Sequence, residues 1–263
     1  VHLIKNEENY GFAKAVNQGI EFCKHDYVIL LNNDTVADEH FVEMLYKAAS
    51  ERADVFAYQA RMLKLYDKER IDSCGDLYCA LGWAFALGKD KDLSRYTQDK
   101  RVFSACAGAA IYNRKLLLET GLFDERHGSY LEDVDICYRA RILGYISRYT
   151  PDAVVYHAGS GVTGSRHNPV KVSLSSRNSV YLIYKNMPLF QLIINIPFII
   201  LGYLIKLLFF AMKGMGAEYY KGVIGGIKLC ASGRKYPFKL KNLRNYVLIQ
   251  FDLWINMIRR ITG

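Results

Sequence analysis

The chain has 263 residues, 51% of them hydrophobic and 23% charged, a globular composition that excludes wholesale disorder. Cysteines stand singly at 23, 74, 79, 106, 137 and 230, with no C-x-x-C pair, which argues against a disulfide scaffold or zinc ribbon and fits a reducing compartment. The net charge of +9 is uneven: residues 1–160 carry 20 Lys and Arg against 24 Asp and Glu, while residues 161–263 carry 15 against only Glu218 and Asp252. An acidic front suited to a metal ion is joined to a basic back suited to anions.

The opening Val1-His2-Leu3-Ile4 reads as a strand already under way, so an N-terminal truncation is expected. Ala13 to Cys23 has helical spacing, with Ala13, Val16 and Ile20 on one face. Tyr27 to Leu31 is a short apolar run read as a buried strand, ended by Asn32-Asn33-Asp34-Thr35. Asp38 is placed to cap a helix carrying Phe41, Leu45 and Ala49. Strand, loop and helix in succession predict an α/β layer with a mainly parallel sheet.

Residues 66–100, with Gly75, Gly82 and Gly88, read as a loop-rich excursion, and Val102 to Tyr112 as a strand around Gly108. Glu132 to Leu143 reads as a helix with Ile136, Ala140 and Leu143 on one side and Gly144 at its end. Asp152 to His157 is a strand ending at a histidine, and 158–168 a Gly/Ser/His loop.

Leu189 to Met212 is nearly all apolar, interrupted by Gln191, Asn195, Pro197 and Lys206. About 20 apolar residues span a bilayer, but these interruptions favour a helix or broken helix pair lying in the interface. Lys228, Arg234, Lys235, Lys239, Lys241 and Arg244 follow, then Leu248 to Ile258 and Arg259-Arg260. Basic clusters beside apolar helices suit an anionic cytoplasmic leaflet; the alternative is a helical subdomain packed on itself. Nucleic acid is not expected as a partner, because these cations are interleaved with long aliphatic runs.

Three places carry chemistry. Asp34 follows an apolar strand, where ligands of open α/β sheets bind, and a carboxylate there can hold Mg²⁺ or Mn²⁺; the same residues are also good turn formers. Glu132-Asp133-Val134-Asp135 opens a helix, where acids are favoured. Glu132 and Asp135 share a face near Arg139, which leaves Asp133 free to meet a ligand. His157 ends a strand and is either structural or a metal ligand beside Asp34. Arg177-Asn178 and Lys185 are read as phosphate contacts or as a solvated basic face.

Taken in order, Asn9 to Gly19, Leu30-Leu31-Asn32-Asn33-Asp34, Gly121-Leu122-Phe123-Asp124-Glu125, Glu132-Asp133-Val134-Asp135 with Arg139 and Gly144, and then His157 resemble glycosyltransferase family 2. The nearest branch is that of bacterial rhamnosyltransferase-like enzymes that build surface polysaccharides. The resemblance covers about residues 1–165. It implies a GT-A (Rossmann-like) fold lacking its first strands, followed over 166–263 by a membrane-associated helical region, and inverting sugar transfer from a nucleotide diphosphate sugar. By position, Asn32, Asn33 and Asp34 match the D-x-D-type motif, with Asp34 the main metal contact. Asn9, Gly11, Phe12 and Asn17 match the segment beside the nucleotide. Asp133 matches the catalytic base with Glu132 beside it near the acceptor, and His157 a metal-ligating histidine. Trp83 is a guess for an acceptor contact.

The expected setting is the cytoplasmic face of a bacterial membrane, peripheral or monotopic, with a lipid-linked or polysaccharide acceptor. A homo-oligomer is left open. The alternatives are a non-catalytic membrane-bound subunit or glycan-binding fragment, and a metal-dependent nucleotidyltransferase.

Overall fold

A computed structural model describes residues 1–159 and 168–262. The helices of the front are α1 (Phe12–Phe22), α2 (Phe41–Ser50), α3 (Arg114–Thr120) and α4 (Glu132–Ile142). α2 buries Phe41, Leu45 and Ala49, the face read from sequence. Asp38 does not cap it: its carboxylate accepts from the His40 N–H and its carbonyl from the Phe41 N–H, closing the turn just ahead.

The strands are β1 (Tyr27–Leu31), β2 (Thr35–Ala37), β3 (Val55–Lys64), β4 (Asp67–Ser73), β5 (Asp76–Cys79), β6 (Trp83–Ala86), β7 (Lys100–Val102), β8 (Ala109–Asn113) and β9 (Ile146–His157). Seven of them form one sheet along the path β1-β8-β3-β9-β2, with β4 on β3 and β7 on β9. The expected mainly parallel sheet is corrected here. Only β3 and β9 pair in parallel among the described strands; the other pairs are antiparallel. Parallel neighbours need a long crossover, whereas β3 passes to β4 through Leu65 and Tyr66 alone.

The residues 66–100, expected to be loop, hold β4 and a separate hairpin of β5 and β6. Leu77, Tyr78, Cys79 and Ala80 are buried there by helices far along the chain, a cause invisible to local patterning. Val102 to Tyr112 takes in parts of two strands, β7 and β8, separated by residues 103–108.

Pleat alternation sorts the core. Val28, Leu30, Ala110 and Tyr112 face α1, α3 and α4, while Ala109 and Ile111 face α2. α4 is buried on nearly every side, not on one: Val134 to Ile142 are all inside. Gly144, with φ +98°, ends the turn that follows it.

The back of the chain is α5 (Pro169–Asn186), α6 (Leu189–Met212), α7 (Gly216–Ser232) and α8 (Leu243–Thr262). The domain boundary expected near 165, and most of the Gly/Ser/His loop, lie outside the described residues. Tyr246, Ile249 and Leu253 of α8 join Leu77 and Tyr78 of β5, Tyr138 of α4 and Leu182 of α5 in one apolar cluster. α5 and α7 approach closely at glycines: a Cβ on Gly226 would lie 2.5 Å from the Arg177 carbonyl oxygen.

α6 is one continuous helix with Pro197 inside it. Its polar interruptions turn inward. Tyr138 donates its hydroxyl to Gln191 Oε1 (2.9 Å), and Gln191 donates to the Tyr246 carbonyl (3.0 Å). Asn195 and Gln250 exchange two amide hydrogen bonds of 2.8 and 2.9 Å. Ile193, Ile196, Leu201 and Leu208 are exposed on α6, as are Val247, Phe251 and Ile255 on α8. By length and composition α6 is able to cross a membrane, with mean hydropathy 2.3 in its most apolar window.

Candidate active site

β2 lies antiparallel to the end of β9, with Thr35 opposite His157. This register sets the carboxylate of Asp34 3.4 Å from His157 Nε2. The other ring nitrogen, Nδ1, is 2.8 Å from Asp72 Oδ2, and Asp72 is paired in turn with Lys89. Burial raises the Asp72 pKa, but the His157 hydrogen bond and Lys89 outweigh it and hold the group ionised below its ordinary value. The hydrogen bond to Asp72, with the charges of Asp72 and Asp34, raises the His157 pKa against the opposing effect of burial.

Asp133 opens α4. Its carboxylate accepts from its neighbour's N–H, that of Val134, at 2.8 Å, and further bonds come from the Ala107 N–H and the Cys106 thiol. Asp76, Cys106 and Asp133 bring one ligand atom each to within 4.8 Å of one another. Burial raises the Asp133 pKa despite these bonds. Asp76 is pushed up to about 8 by burial, then by the charges of Asp133 and Asp72.

The two halves meet through backbone and charge. Asn32 donates its N–H to the Gly108 carbonyl (2.9 Å), in the segment whose Cys106 and Ala107 hold Asp133. Asp76 feels both Asp133 and Asp72. Asp34, His157, Asp72, Asp76, Cys106 and Asp133 thus form one linked group drawn from six segments of the chain. Sequence reasoning missed Asp72, Asp76 and Cys106, because they fall in stretches read as loop or plain strand. The turn glycine Gly75 between the two acids was the one available signal.

Glu132 is buried, with one carboxylate oxygen unpartnered among the described residues. Burial and the adjacent Asp133 charge raise its pKa well above the ordinary value. Asn33 is exposed beside Asp34.

The residues expected beside the nucleotide gather around the 123–131 loop. Asn9 accepts from the Gly11 N–H at 2.9 Å, and Gly11, with φ +84°, lies against Gly128. Phe12 donates its N–H to Ser129 Oγ (3.5 Å). Asn17 exchanges two hydrogen bonds with the backbone of Phe123, at 2.9 and 3.0 Å, so its amide holds that loop in place.

Lys185 and Asn178 are buried and bonded within the protein rather than on a solvated face, and Arg177 beside them is half-buried. Lys185 Nζ bonds Asp124 and Asp135 at 2.7 and 2.8 Å. Arg177 donates to the Arg126 and His127 carbonyls. The Asn178 amide donates to those of His127, Ser129 and Tyr130, each at 2.8 Å. Arg139, Lys185 and His127 overcome the burial of Asp135 and hold it well below the ordinary carboxylate range.

The donor set fits a divalent cation. A histidine whose Nδ1 is held by Asp72 offers Nε2 toward Asp34, the orientation in which an outer carboxylate fixes a metal-binding ring.

Residues 1–121 match the model of glycosyl transferase family 2. That match, over less than half of the chain, supports a protein similar to family 2 glycosyltransferases. The chain is similar, at 27% identity over 213 residues, to N-acetylglucosaminyl-diphospho-decaprenol L-rhamnosyltransferase from two strains of Mycobacterium tuberculosis. The match covers 68% of this chain and 68% of those proteins. Among solved structures it resembles GalNAc-T7 with UDP, GalNAc and Mn²⁺, with a TM-score of 0.53 and 16% identity. That match covers 68% of this chain and only 35% of the other, and it shows the fold: a GT-A-like α/β unit with a mixed sheet. The family match and the fold together support sugar transfer.

Proposed function

We propose that the protein transfers a sugar, with rhamnose the first candidate, from a nucleotide diphosphate donor to a lipid-linked acceptor, inverting the anomeric centre. The observation that carries this reading is the linked group itself, which joins a cation-type donor pair, Asp34 and His157, to an enclosed carboxylate, Asp133. Asp34 and His157 would hold a divalent cation, which would supply positive charge toward the departing diphosphate.

Asp133 takes the proton of the acceptor hydroxyl as that oxygen attacks the anomeric carbon. Attack from the face opposite the leaving group inverts the centre. The bonds from Val134, Ala107 and Cys106 fix the carboxylate, and its raised pKa brings its basicity closer to the working pH. Asp72 orients the His157 ring. The nucleotide is assigned to the Asn9 to Asn17 side, and Trp83 to the acceptor side. The lipid-linked acceptor is supported by the mycobacterial relatives, rhamnosyltransferases that act on N-acetylglucosaminyl-diphospho-decaprenol. A monotopic placement at the cytoplasmic leaflet is supported by the exposed apolar residues of α6 and α8 beside a strongly basic back.

The test is transfer by the full chain from thymidine diphosphate rhamnose, and from other nucleotide sugars, to N-acetylglucosaminyl diphosphate lipids with Mn²⁺ or Mg²⁺. Asp133→Asn should lower turnover by about 10²–10⁴-fold while donor binding persists. Undiminished turnover rejects Asp133 as the base. Donor and lipid binding with no transfer under any condition favours a non-catalytic subunit.

A further inference from the structure

Three otherwise buried stretches each hold one half-buried residue: Asp76 in β5, Cys106 between β7 and β8, and Asp133 in α4. The ligand atoms of these three lie within 4.8 Å of one another, so they share one opening. Asp76 is fixed in it by backbone. Its N–H donates to the Ser104 carbonyl (2.8 Å), and its own carbonyl accepts from the N–H groups of Phe103 and Ser104, each at 3.0 Å. The same segment runs on into Cys106 and Ala107, which bond Asp133, so one stretch of chain sets both acids. Across the hairpin, Asp76 is paired with the half-buried Ala86. Paired residues of an antiparallel ladder share a face, and a methyl group there leaves the space beside the carboxyl open.

The two acids differ in their bonding. Asp133 accepts from the Val134 N–H, the Ala107 N–H and the Cys106 thiol. The Asp76 carboxyl has no hydrogen-bond partner among the described residues. Two carboxylates this close do not both ionise, and donors favour the charged form. The charge therefore settles on Asp133 and the proton on Asp76, in line with the rise of the Asp76 pKa to about 8. A protonated carboxyl donates one hydrogen bond and accepts others, which is the complement of a sugar hydroxyl. It would serve poorly on the attacking oxygen, whose proton goes to Asp133 and whose lone pairs are needed for the anomeric carbon. It serves well on the next hydroxyl. A separation of at most 4.8 Å is bridged by two adjacent hydroxyls, each reaching one acid through a hydrogen bond of about 2.7 Å.

We infer that Asp76 is an acceptor-binding residue: its carboxyl holds the hydroxyl adjacent to the one that Asp133 deprotonates, so the acceptor sugar presents two neighbouring free hydroxyls. The inference rests on the sugar-transfer reading above and adds which hydroxyls of the acceptor are recognised.

N-acetylglucosaminyl diphosphate has such a pair only at its 3- and 4-positions, because its first carbon holds the diphosphate and its second the acetamide. Lipid acceptors lacking the 3-, 4- or 6-hydroxyl therefore test the inference. With the full wild-type chain, one of the 3- and 4-deoxy acceptors should give no product, since the attacked oxygen is gone. The other should lose about 10- to 100-fold in kcat/KM, and the 6-deoxy acceptor should react normally. Asp76→Ala should slow the complete acceptor by a similar factor and lose no more on the slowed deoxy acceptor, the non-additivity of a direct contact. Asp76→Asn, which keeps a donor and an acceptor at that position, should restore most of the discrimination. Transfer to the 6-hydroxyl, an unpenalised neighbour in the wild-type series, or additive losses in Asp76→Ala overturn the inference while leaving sugar transfer standing. The wild-type series decides the matter even where Asp76→Ala does not fold. Saturation-transfer nuclear magnetic resonance with N-acetylglucosaminyl diphosphate gives a readout independent of transfer. Binding weakened about tenfold in Asp76→Ala, with no transfer from any nucleotide sugar, supports the contact and removes the transfer reading instead. Equal binding to both proteins without transfer removes both.

Discussion

The Asn178 side chain donates a hydrogen bond to the Tyr130 carbonyl at 2.8 Å, three residues before Asp133. Tyr130 and Leu131 both have left-handed backbones, φ +72° and +67°, a conformation that bulky side chains adopt only when the surroundings enforce it. A helix of the basic back therefore holds the strained turn that launches α4 and aims its first carboxylates. Asn178→Ala removes three hydrogen bonds from that turn and is expected to cost about 1–3 kcal/mol in stability. It should also lower kcat more than it weakens donor binding. Thermal unfolding and transfer kinetics on one preparation check both; a stable variant with wild-type kcat would dismiss the aiming role.

Asp72 touches His157 but not Asp34's side of the ring. Asp72→Asn should weaken Mn²⁺ binding about 10- to 100-fold, the usual effect of losing an outer partner of a ligand histidine. Electron paramagnetic resonance titration of free Mn²⁺ measures this directly. Wild-type affinity in the variant would assign the cation elsewhere.

Asp76 gives the stability a pH dependence of definite sign. Burial and its acidic neighbours push it up to about 8, against the ordinary value of about 3.9 in an unfolded chain. Between those values the folded chain keeps a proton that the unfolded chain releases. Stability from this group is therefore whole below about pH 4 and is lost as pH rises through about 8. Asp76→Asn stays neutral throughout, so its melting temperature should gain on wild type from pH 5 to pH 8. Parallel curves would show that the Asp76 carboxyl does not hold this proton.

The Asn195–Gln250 pair ties α6 to α8 in a buried setting. Asn195→Leu alone strands the Gln250 amide and should cost about 1–3 kcal/mol, whereas Asn195→Leu with Gln250→Leu should recover most of it. Urea or thermal unfolding of the four-membered cycle shows this as a coupling energy; additive losses would mean that the two amides are not partners.

With α6 docked by one side and apolar on the other, release from membranes is expected to need detergent together with high salt. Sedimentation after washing checks it, and clean release by salt alone would remove the embedded helix.

How far the sequence reached depended on the range of the forces involved. Local periodicity sufficed for α1, β1 and α2, whose apolar faces repeat within a few residues, whereas α4 is buried all round. The order and spacing of five motifs, from Asn9–Gly19 through Leu30–Asp34, Gly121–Glu125 and Glu132–Asp135 to His157, carried the family resemblance. Strand direction was misjudged because it depends on how the chain returns, and β5 and β6 were missed because their burial comes from α8. The same distance hid the roles of Lys185 and Asn178, which read as phosphate contacts or part of a solvated basic face until their partners at Asp124, Asp135 and Tyr130 are seen. Asp72 and Asp76 acquire meaning only from His157 and Asp133, more than 50 residues away in the chain. Residue types and their spacing, then, determined which chemistry this chain can host. Which carboxylates share a site, and which cations are locked into the core, was decided by tertiary packing, because burial and pairing are properties of neighbours in space.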